Sequence, residues 1–313
     1  MTRLLSAFLL VLSAAAAFAA EPITIIWPAP PGGGGDIYLR ILGKVITRDF
    51  GVPVVIANVS GGGGGIGVAK MVAAKPDGTL LAGAWTGPIS IAPHTLGVPY
   101  QPSDYIPVMQ FSSAPYVLCT APDFPANNGT EFLDVLKKNP NKYSFGTDGP
   151  GGLGQLAATR VFLAFGIKQQ DIPFKGAGES TVALAGRHVD MYSGTIPPIQ
   201  KFLATGTVKC LLVTAAKRAA ALPQVTSLGD LGIPQEESML WRAIFAPKGT
   251  PPQIIQNLEK MLEAAARSPE SLKFLDESGE VLEIYKGAEL AERLRREYES
   301  MAAVVKAAGM AKK

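Results

Sequence analysis

Three glycine clusters, each lying between a strand-like apolar run and a helix-like stretch, contain the residues best suited to chemistry in this chain. They occupy residues 31–36, 61–67 and 149–154. Glycine lets the backbone approach a ligand closely. The first N–H groups of a helix have no intrahelical partner and lie at the positive end of its dipole. The pattern therefore predicts a site that binds an anion through backbone N–H groups rather than through charged side chains.

The second cluster also fits the G-x-G-x-x-G pattern of dinucleotide-binding proteins. A run of five glycines satisfies that pattern by chance, and no acidic residue ends the next strand, where Trp85 stands. No glycine run continues into the Gly-Lys-Ser/Thr of a P-loop. We therefore expect no nucleotide cofactor.

Residues for hydrolytic or metal chemistry are sparse. His94 and His188 are the only histidines, and the sequence has no G-x-S-x-G motif. Two histidines without paired cysteines give no metal-ligand spacing. Asp36 is better interpreted as a first-turn residue stabilised by the helix dipole than as a catalytic acid. We expect no catalytic residue and no metal, and an exported α/β enzyme remains the alternative.

The two cysteines, Cys119 and Cys210, each lie in an apolar, strand-like run. An oxidising compartment would allow them to pair. Their spacing cannot show whether their Cα atoms lie close enough for a bond. The interpretation we favour is two small, buried, unpaired residues.

The N-terminus has the pattern of a secretory signal. Arg3 precedes an apolar stretch over residues 4–17, and residues 17–19 fit an A-x-A cleavage site. We expect residues 1–20 to be removed and the mature chain to be periplasmic. A net charge of +3, without a long basic run, gives no indication of a nucleic-acid or membrane partner.

Beyond the signal, short apolar runs alternate with helical patterns, which predicts parallel β-sheets flanked by helices. The pattern restarts after residues 116–120, and the runs at 116–120 and 208–214 are the expected crossings between two lobes. We predict residues 21–117 with 215–313 as the first lobe and residues 118–214 as the second. In open α/β sheets ligands bind beyond the carboxyl ends of strands. Trp85, Thr86 and Ser193 occupy such positions.

At these loops the sequence resembles the Bug-type extracytoplasmic solute receptors, the substrate-binding proteins of tripartite tricarboxylate transporters. The similarity covers essentially the whole mature chain and follows the order of the family's motifs. The matching segments are residues 28–36, 60–67, 76–81, 99–105, 147–152, 173–176 and 246–251.

This resemblance implies a two-lobed periplasmic binding protein of the type II fold, with a small organic carboxylate held between the lobes. It implies a monomer that delivers its ligand to membrane permease subunits by hinge closure. Backbone N–H groups would come from Gly33 in the first lobe and Gly149, Gly151 and Gly152 in the second. Asp36 would brace the first loop. The expected ligand-binding residues are Ala29, Gly33, Asp36, Trp85, Thr86, Thr147, Gly149, Gly151, Gly152, Gln155 and Ser193.

Several positions differ from the family pattern. Ala29 replaces an aromatic residue that lines the pocket, Gln155 stands where histidine is common, and Asp148 replaces a hydroxyl residue. Loss of the aromatic residue is expected to widen the pocket or to move stacking to Trp27 or Trp85. These departures favour a larger or aromatic carboxylate. A ligand sensor for a membrane kinase is the other alternative, because it would use the same closed form.

Overall fold

A computed structural model describes residues 21–147, 152–174 and 176–312. Within these ranges the strands are β1 Ile23–Trp27, β2 Val54–Asn58, β3 Leu80–Trp85, β4 Tyr105–Thr120, β5 Ser144–Thr147, β6 Gln170–Pro173, β7 Met191–Thr195, β8 Lys209–Val213, β9 Thr226–Ser227, β10 Met239–Pro247 and β11 Tyr285–Lys286. The helices are α1 Gly34–Phe50, α2 Gly65–Val72, α3 Ala92–Thr95, α4 Gly129–Lys138, α5 Leu153–Phe165, α6 Ala177–Ala185, α7 Ile196–Ala204, α8 Pro252–Ala266, α9 Pro269–Ser278 and α10 Gly287–Ala307. A π-helical turn, Gly87–Ile91, precedes α3.

The strands form one continuous sheet with two halves that share β4. The first half has the order β2-β1-β3-β10-β4, with β11 on the far side of β4. The second half has the order β4-β7-β5-β6, and β8 with β9 lies on the other side of β4. The βαβ units are parallel as expected, whereas β10 is antiparallel to both β3 and β4.

Strand β4 joins the two halves. Its residues up to Pro115 pair with β10, and its residues from Tyr116 onward pair with β7 and β8. The chain returns to the first half through residues 214–238, where Ser238 N donates to Thr214 O at 2.9 Å. After the 208–214 run and this connection the chain forms β10, a strand that the sequence pattern did not predict.

Helices cover both faces of each half, as βαβ connections require. In the first half, α1, α8 and α9 pack over one face and α2 with the start of α10 packs over the other. In the second half, α4 and α5 cover one face and α6 and α7 the other. In the described part of the chain, no helix is long and apolar enough to cross a bilayer.

The C-terminal half of α10 contacts both halves of the molecule. Met301 and Val305 form a buried cluster with Ile91 from the first half and Leu156 of α5 from the second. This cluster packs α5 against the π-helical turn that follows β3.

The favoured interpretation of two unpaired cysteines is wrong. Cys119 in β4 and Cys210 in β8 are directly opposite each other and form a disulfide. The sequence could not show this, because residues 91 positions apart become neighbours only when the two strands pair.

Candidate functional site

The first glycine cluster connects β1 to α1. Gly33 caps α1, and its carbonyl accepts a hydrogen bond from Ile37 N at 3.0 Å. Both Gly33 and Gly34 are exposed. The N–H groups of this first turn have no intrahelical acceptor and carry the positive end of the helix dipole. The turn can therefore bind an anion.

Asp36 holds this loop in place from a buried position. Its carboxylate accepts hydrogen bonds from Gly32 N at 2.9 Å, from Arg40 at 3.0 Å and from Asn58 Nδ2 at 3.0 Å. The same Asn58 amide donates to Ala29 O at 3.1 Å. The loop is thus tethered at both ends, to α1 and to the end of β2.

The protonation of Asp36 follows from this network. Burial raises the pKa of its carboxyl, but the hydrogen bonds from Arg40, Gly32 N and Asn58 outweigh burial and leave the pKa below its ordinary value of 3.8. Asp36 is therefore ionised at neutral pH. Its carboxylate accepts hydrogen bonds from the glycine loop and from Arg40 and Asn58, the two side chains that support the loop.

Two tryptophans end the strands beside this loop. Trp27 closes β1 and Trp85 closes β3, and their ring centroids are 4.8 Å apart. A Cβ at Gly35 would overlap the Trp27 ring, so only glycine lets α1 begin this close to the indole.

A cavity of about 390 Å³ lies against this pair. Trp27, Ala29, residues 30–31, Trp85 and Leu240 form its apolar walls, and residues 33–35 of the first helical turn border it. Three predicted site residues, Ala29, Gly33 and Trp85, therefore share one cavity.

Sequence reasoning missed the one charged side chain that lines this cavity. Arg242 of β10 is 8% exposed, and its Nη1 is paired with the Glu280 carboxylate. That carboxylate also accepts a hydrogen bond from Ser112 Oγ at 2.9 Å. Arg242 Nη2 lies 3.5 Å from the point where a Cβ on Gly34 would stand. The signal available in the sequence was a single arginine within the apolar run 239–247. If that run is a strand of the sheet, its arginine must be buried.

Three predicted side chains, those of Thr147, Gln155 and Ser193, belong to the described part of the second half. Thr147 Oγ1 donates to Asp171 Oδ1 at 3.0 Å, and Gln155 Nε2 donates to Asp171 Oδ2 at 2.7 Å. Ser193 Oγ donates to Gly154 O at 2.6 Å. These bonds hold the end of β5 and the start of α5 to neighbouring elements.

Thr86 follows the last residue of β3 and does not border the cavity at α1. Its hydroxyl donates to Met239 O at 3.2 Å, and it borders a narrow space of about 20 Å³ together with Tyr116 and Leu153. A hydroxyl has a single proton. The hydroxyls of Thr86, Thr147 and Ser193 therefore donate within the protein, and only their lone pairs remain for a ligand.

Gly152 immediately precedes α5 and is partly exposed, so the start of α5 is a second helix N-terminus at the carboxyl end of a strand. Gly149, Gly151 and Asp148 lie outside the described residues. In the parts of the chain that are described, no group of three or more His, Cys, Asp or Glu side chains is arranged to hold a metal ion.

The second glycine cluster has a conformational explanation. Residues 61–64 all have positive φ, between 57° and 122°, and Gly64 N donates to Gly61 O at 3.0 Å. Four successive residues with positive φ make a turn that other residue types rarely adopt. This cluster redirects the chain from β2 into α2, and its residues do not border the cavity at α1.

Comparison with known proteins connects this geometry to a family. The model of the tripartite tricarboxylate transporter family receptor matches residues 38–309. Protein BugT of Bordetella pertussis is 30% identical over 254 residues, which are 80% of this chain and 78% of BugT.

Solved structures show the same fold. A TctC solute-binding protein from Polaromonas superimposes with a TM-score of 0.84 at 25% identity, covering 92% of this chain and 99% of that one. MatC from Rhodopseudomonas palustris, solved with bound malate, superimposes with a TM-score of 0.70 at 24% identity and covers 91% of this chain and 98% of MatC.

Proposed function

Because the chain belongs to the tripartite tricarboxylate transporter receptor family, we propose that it is a periplasmic receptor that captures a small organic carboxylate between two lobes and delivers it to membrane permease subunits. The chain acts in this proposal as a monomer, without enzymatic turnover and without a cofactor. Its solved relatives are solute-binding proteins, and MatC was solved with malate.

The observation that carries this proposal is the exposed first turn of α1 beside a cavity. The N–H groups of residues 33–35 supply partial positive charge, and the Asp36 network keeps their loop in one conformation. An ionised carboxylate is the anion that this arrangement suits, because it accepts several N–H hydrogen bonds at once.

The proposed lobes are residues 21–117 with 215–313, and residues 118–214, with residues 1–20 as the signal peptide. Gly149, Gly151 and Gly152 contribute the second set of N–H groups in this arrangement. Closure about β4 and the 214–238 connection brings the starts of α1 and α5 together around the ligand. The ligand stabilises the closed state because it makes more contacts there than in the open state.

A carboxylate screen with a paired glycine substitution tests the proposal. A Cβ at Gly33 or at Gly97 would meet no atom within 4 Å, and neither residue has positive φ. Gly33→Val and Gly97→Val are therefore both expected to fold, but only the first places a side chain at the cavity.

We expect a thermal shift with at least one class of carboxylates, and a Kd at least tenfold higher for Gly33→Val but unchanged for Gly97→Val, by isothermal titration calorimetry. A tenfold loss corresponds to about 1.4 kcal/mol. A wild-type protein stabilised by sugars or dinucleotides and by no carboxylate would refute the receptor proposal, as would turnover of the bound carboxylate.

A further inference from the structure

Arg242 is buried, yet its guanidinium is only partly satisfied. Nη1 is paired with Glu280, whereas Nη2 and Nε have no hydrogen-bond acceptor among the described residues. The free Nη2 lies beside Gly34, at the start of α1. Arg242 lines the cavity, and an anion placed there would accept from the guanidinium and the helix N-terminus together.

Glu280 explains how the empty site tolerates this cation. The side chains of Arg242 and Glu280 are 10% and 6% exposed, and Ser112 Oγ donates to the same carboxylate oxygen that accepts from Arg242. An uncompensated buried charge would be costly. The pair is neutral as a whole, and the planar guanidinium can bind Glu280 through one edge and a ligand through another.

The remaining walls indicate what the carboxylate is attached to. Trp27 and Trp85 face the cavity with Leu240 and Ala29, and Arg242 is its only charged lining residue in the described part of the chain. Because residue 29 is alanine, no larger side chain at that position fills the cavity beside the partly exposed Trp85 indole, whereas Trp27 is 5% exposed. Flat apolar groups pack favourably against indole faces, whereas a second carboxylate on the ligand would be desolvated against apolar walls.

Building on the proposed receptor function, we propose that Arg242 anchors the ligand carboxylate at the start of α1, that Glu280 neutralises Arg242 while the site is empty, and that the Trp27–Trp85 pair receives an aromatic body. The site accordingly selects aromatic monocarboxylates over aliphatic dicarboxylates. Arg242 determines the charge that is accepted, and the indoles determine the shape.

Tryptophan fluorescence gives a direct readout. The chain has three tryptophans, and Trp241 is buried away from this cavity against Glu297. In a Trp241→Phe background the signal comes from Trp27 and Trp85. We expect sodium benzoate to change this signal saturably and to bind at least tenfold more tightly than succinate. Tighter binding of succinate would overturn the proposed aromatic selectivity.

Three charge variants separate the roles of the pair. Arg242→Gln/Glu280→Gln removes both charges without leaving either unpaired, and we expect at least tenfold weaker benzoate binding. Glu280→Gln alone leaves the cation for the ligand, and we expect equal or tighter binding with a lower Tm that benzoate restores. Arg160→Gln/Glu236→Gln is the matched control, because Arg160 is equally buried in an ion pair outside this cavity.

The outcomes distinguish the two proposals. If carboxylates bind the wild-type protein but the Arg242→Gln/Glu280→Gln variant binds them equally well, the anchoring role of Arg242 is refuted and the receptor function stands. If Glu280→Gln weakens benzoate binding as much as the double variant does, the role of Glu280 as only the charge partner of Arg242 in the empty site is refuted. If no carboxylate binds the wild-type protein, the receptor function itself fails.

Discussion

Asp36 is the residue on which the conformation of the first glycine loop depends. It bonds Gly32 N, Arg40 and Asn58, and Asn58 extends the network to Ala29 O. A carboxylate that accepts several bonds from a loop and its supports restricts a glycine segment that would otherwise sample many conformations. The loop is thus preorganised by a side chain that does not itself line the cavity.

The substitution Asp36→Asn tests this role. It removes the negative charge while keeping the size of the side chain, and we expect a loss of about 1–3 kcal/mol in the free energy of unfolding at pH 7. Because the folded-state pKa of Asp36 lies below 3.8, its contribution is present above that pH and is lost as the pH falls through the lowered value.

Thermal unfolding at pH 7 and at pH 3 provides the measurement. The difference in Tm between wild type and Asp36→Asn is expected to be larger at pH 7. Asp49→Asn is the control, because Asp49 is also paired with an arginine of α1 but is exposed, and its Tm should change little. Equal effects of the two substitutions would contradict the bracing role of Asp36.

The glycine pattern, the strand-end position of Trp85 and the family resemblance together predicted Ala29, Gly33 and Trp85 as ligand-binding residues, and these three border one cavity. Sequence reasoning did not find Arg242 or Glu280. Arg242 and Glu280 are 38 positions apart in the chain. They form an ion pair only because the fold brings β10 and the segment after α9 together beside β4.

At the scale of elements, the β4–β8 pair carries the disulfide between Cys119 and Cys210. The bond closes a loop with a sequence separation of 91 residues. A crosslink over a loop of this length restricts the unfolded chain strongly, and an exported chain would meet the oxidising conditions that form it. The disulfide therefore ties β4, which joins both halves of the sheet, to the second half.

Cys119→Ala/Cys210→Ala should lower the free energy of unfolding by about 2–5 kcal/mol. Urea denaturation measures this, with and without dithiothreitol. Reduction should lower the midpoint of the wild-type protein toward that of the variant and leave the variant unchanged. A wild-type midpoint that is insensitive to full reduction would show that the crosslink does not stabilise the fold.

Helices and strands could be predicted where apolar residues recur at a regular spacing, and could not be predicted where pairing between distant strands determines the structure. The sequence of α5, for example, has apolar residues at helical spacing between Gly152 and Gly166, so its helix is marked by a local pattern. Strand β10 was missed, since its nine residues have no regular alternation and are buried on both faces. It is a strand because β3 and β4 hydrogen-bond it from both sides.

At the scale of the whole molecule, α10 is the element that contacts both halves. Its Glu297 accepts a hydrogen bond from Trp241 Nε1 of β10 at 2.6 Å and faces Arg293, Arg160 of α5 and Glu237. Burial raises the pKa of Glu297 to about 7, against the opposing effects of the Trp241 hydrogen bond and the two arginines. A titratable carboxyl thus lies where the two halves meet.

The sign of the resulting pH dependence follows from linkage. Between the ordinary value of 4.5 and about 7 the folded state binds more protons at Glu297 than the unfolded state does. The contribution of this residue to stability therefore decreases as the pH rises through that range. Glu297→Gln removes this titration, because glutamine remains neutral.

We expect the Tm of Glu297→Gln relative to wild type to increase between pH 5 and pH 8. Differential scanning calorimetry over that range measures the difference, with Glu299→Gln, an exposed residue of the same helix, as the control. Parallel pH profiles for wild type and Glu297→Gln would show that the Glu297 carboxyl titrates normally in the folded protein.

The sequence by itself determined the class of fold, the alternation of strands and helices, and the loops at which a carboxylate is expected, because these follow from local periodicity, glycine and motif order. Only the tertiary structure decided the antiparallel insertion of β10, the Cys119–Cys210 bond and the position of Arg242 beside α1. Each of these depends on contacts between residues far apart in the chain. Such contacts are fixed by which strands become neighbours, and no local pattern encodes that choice.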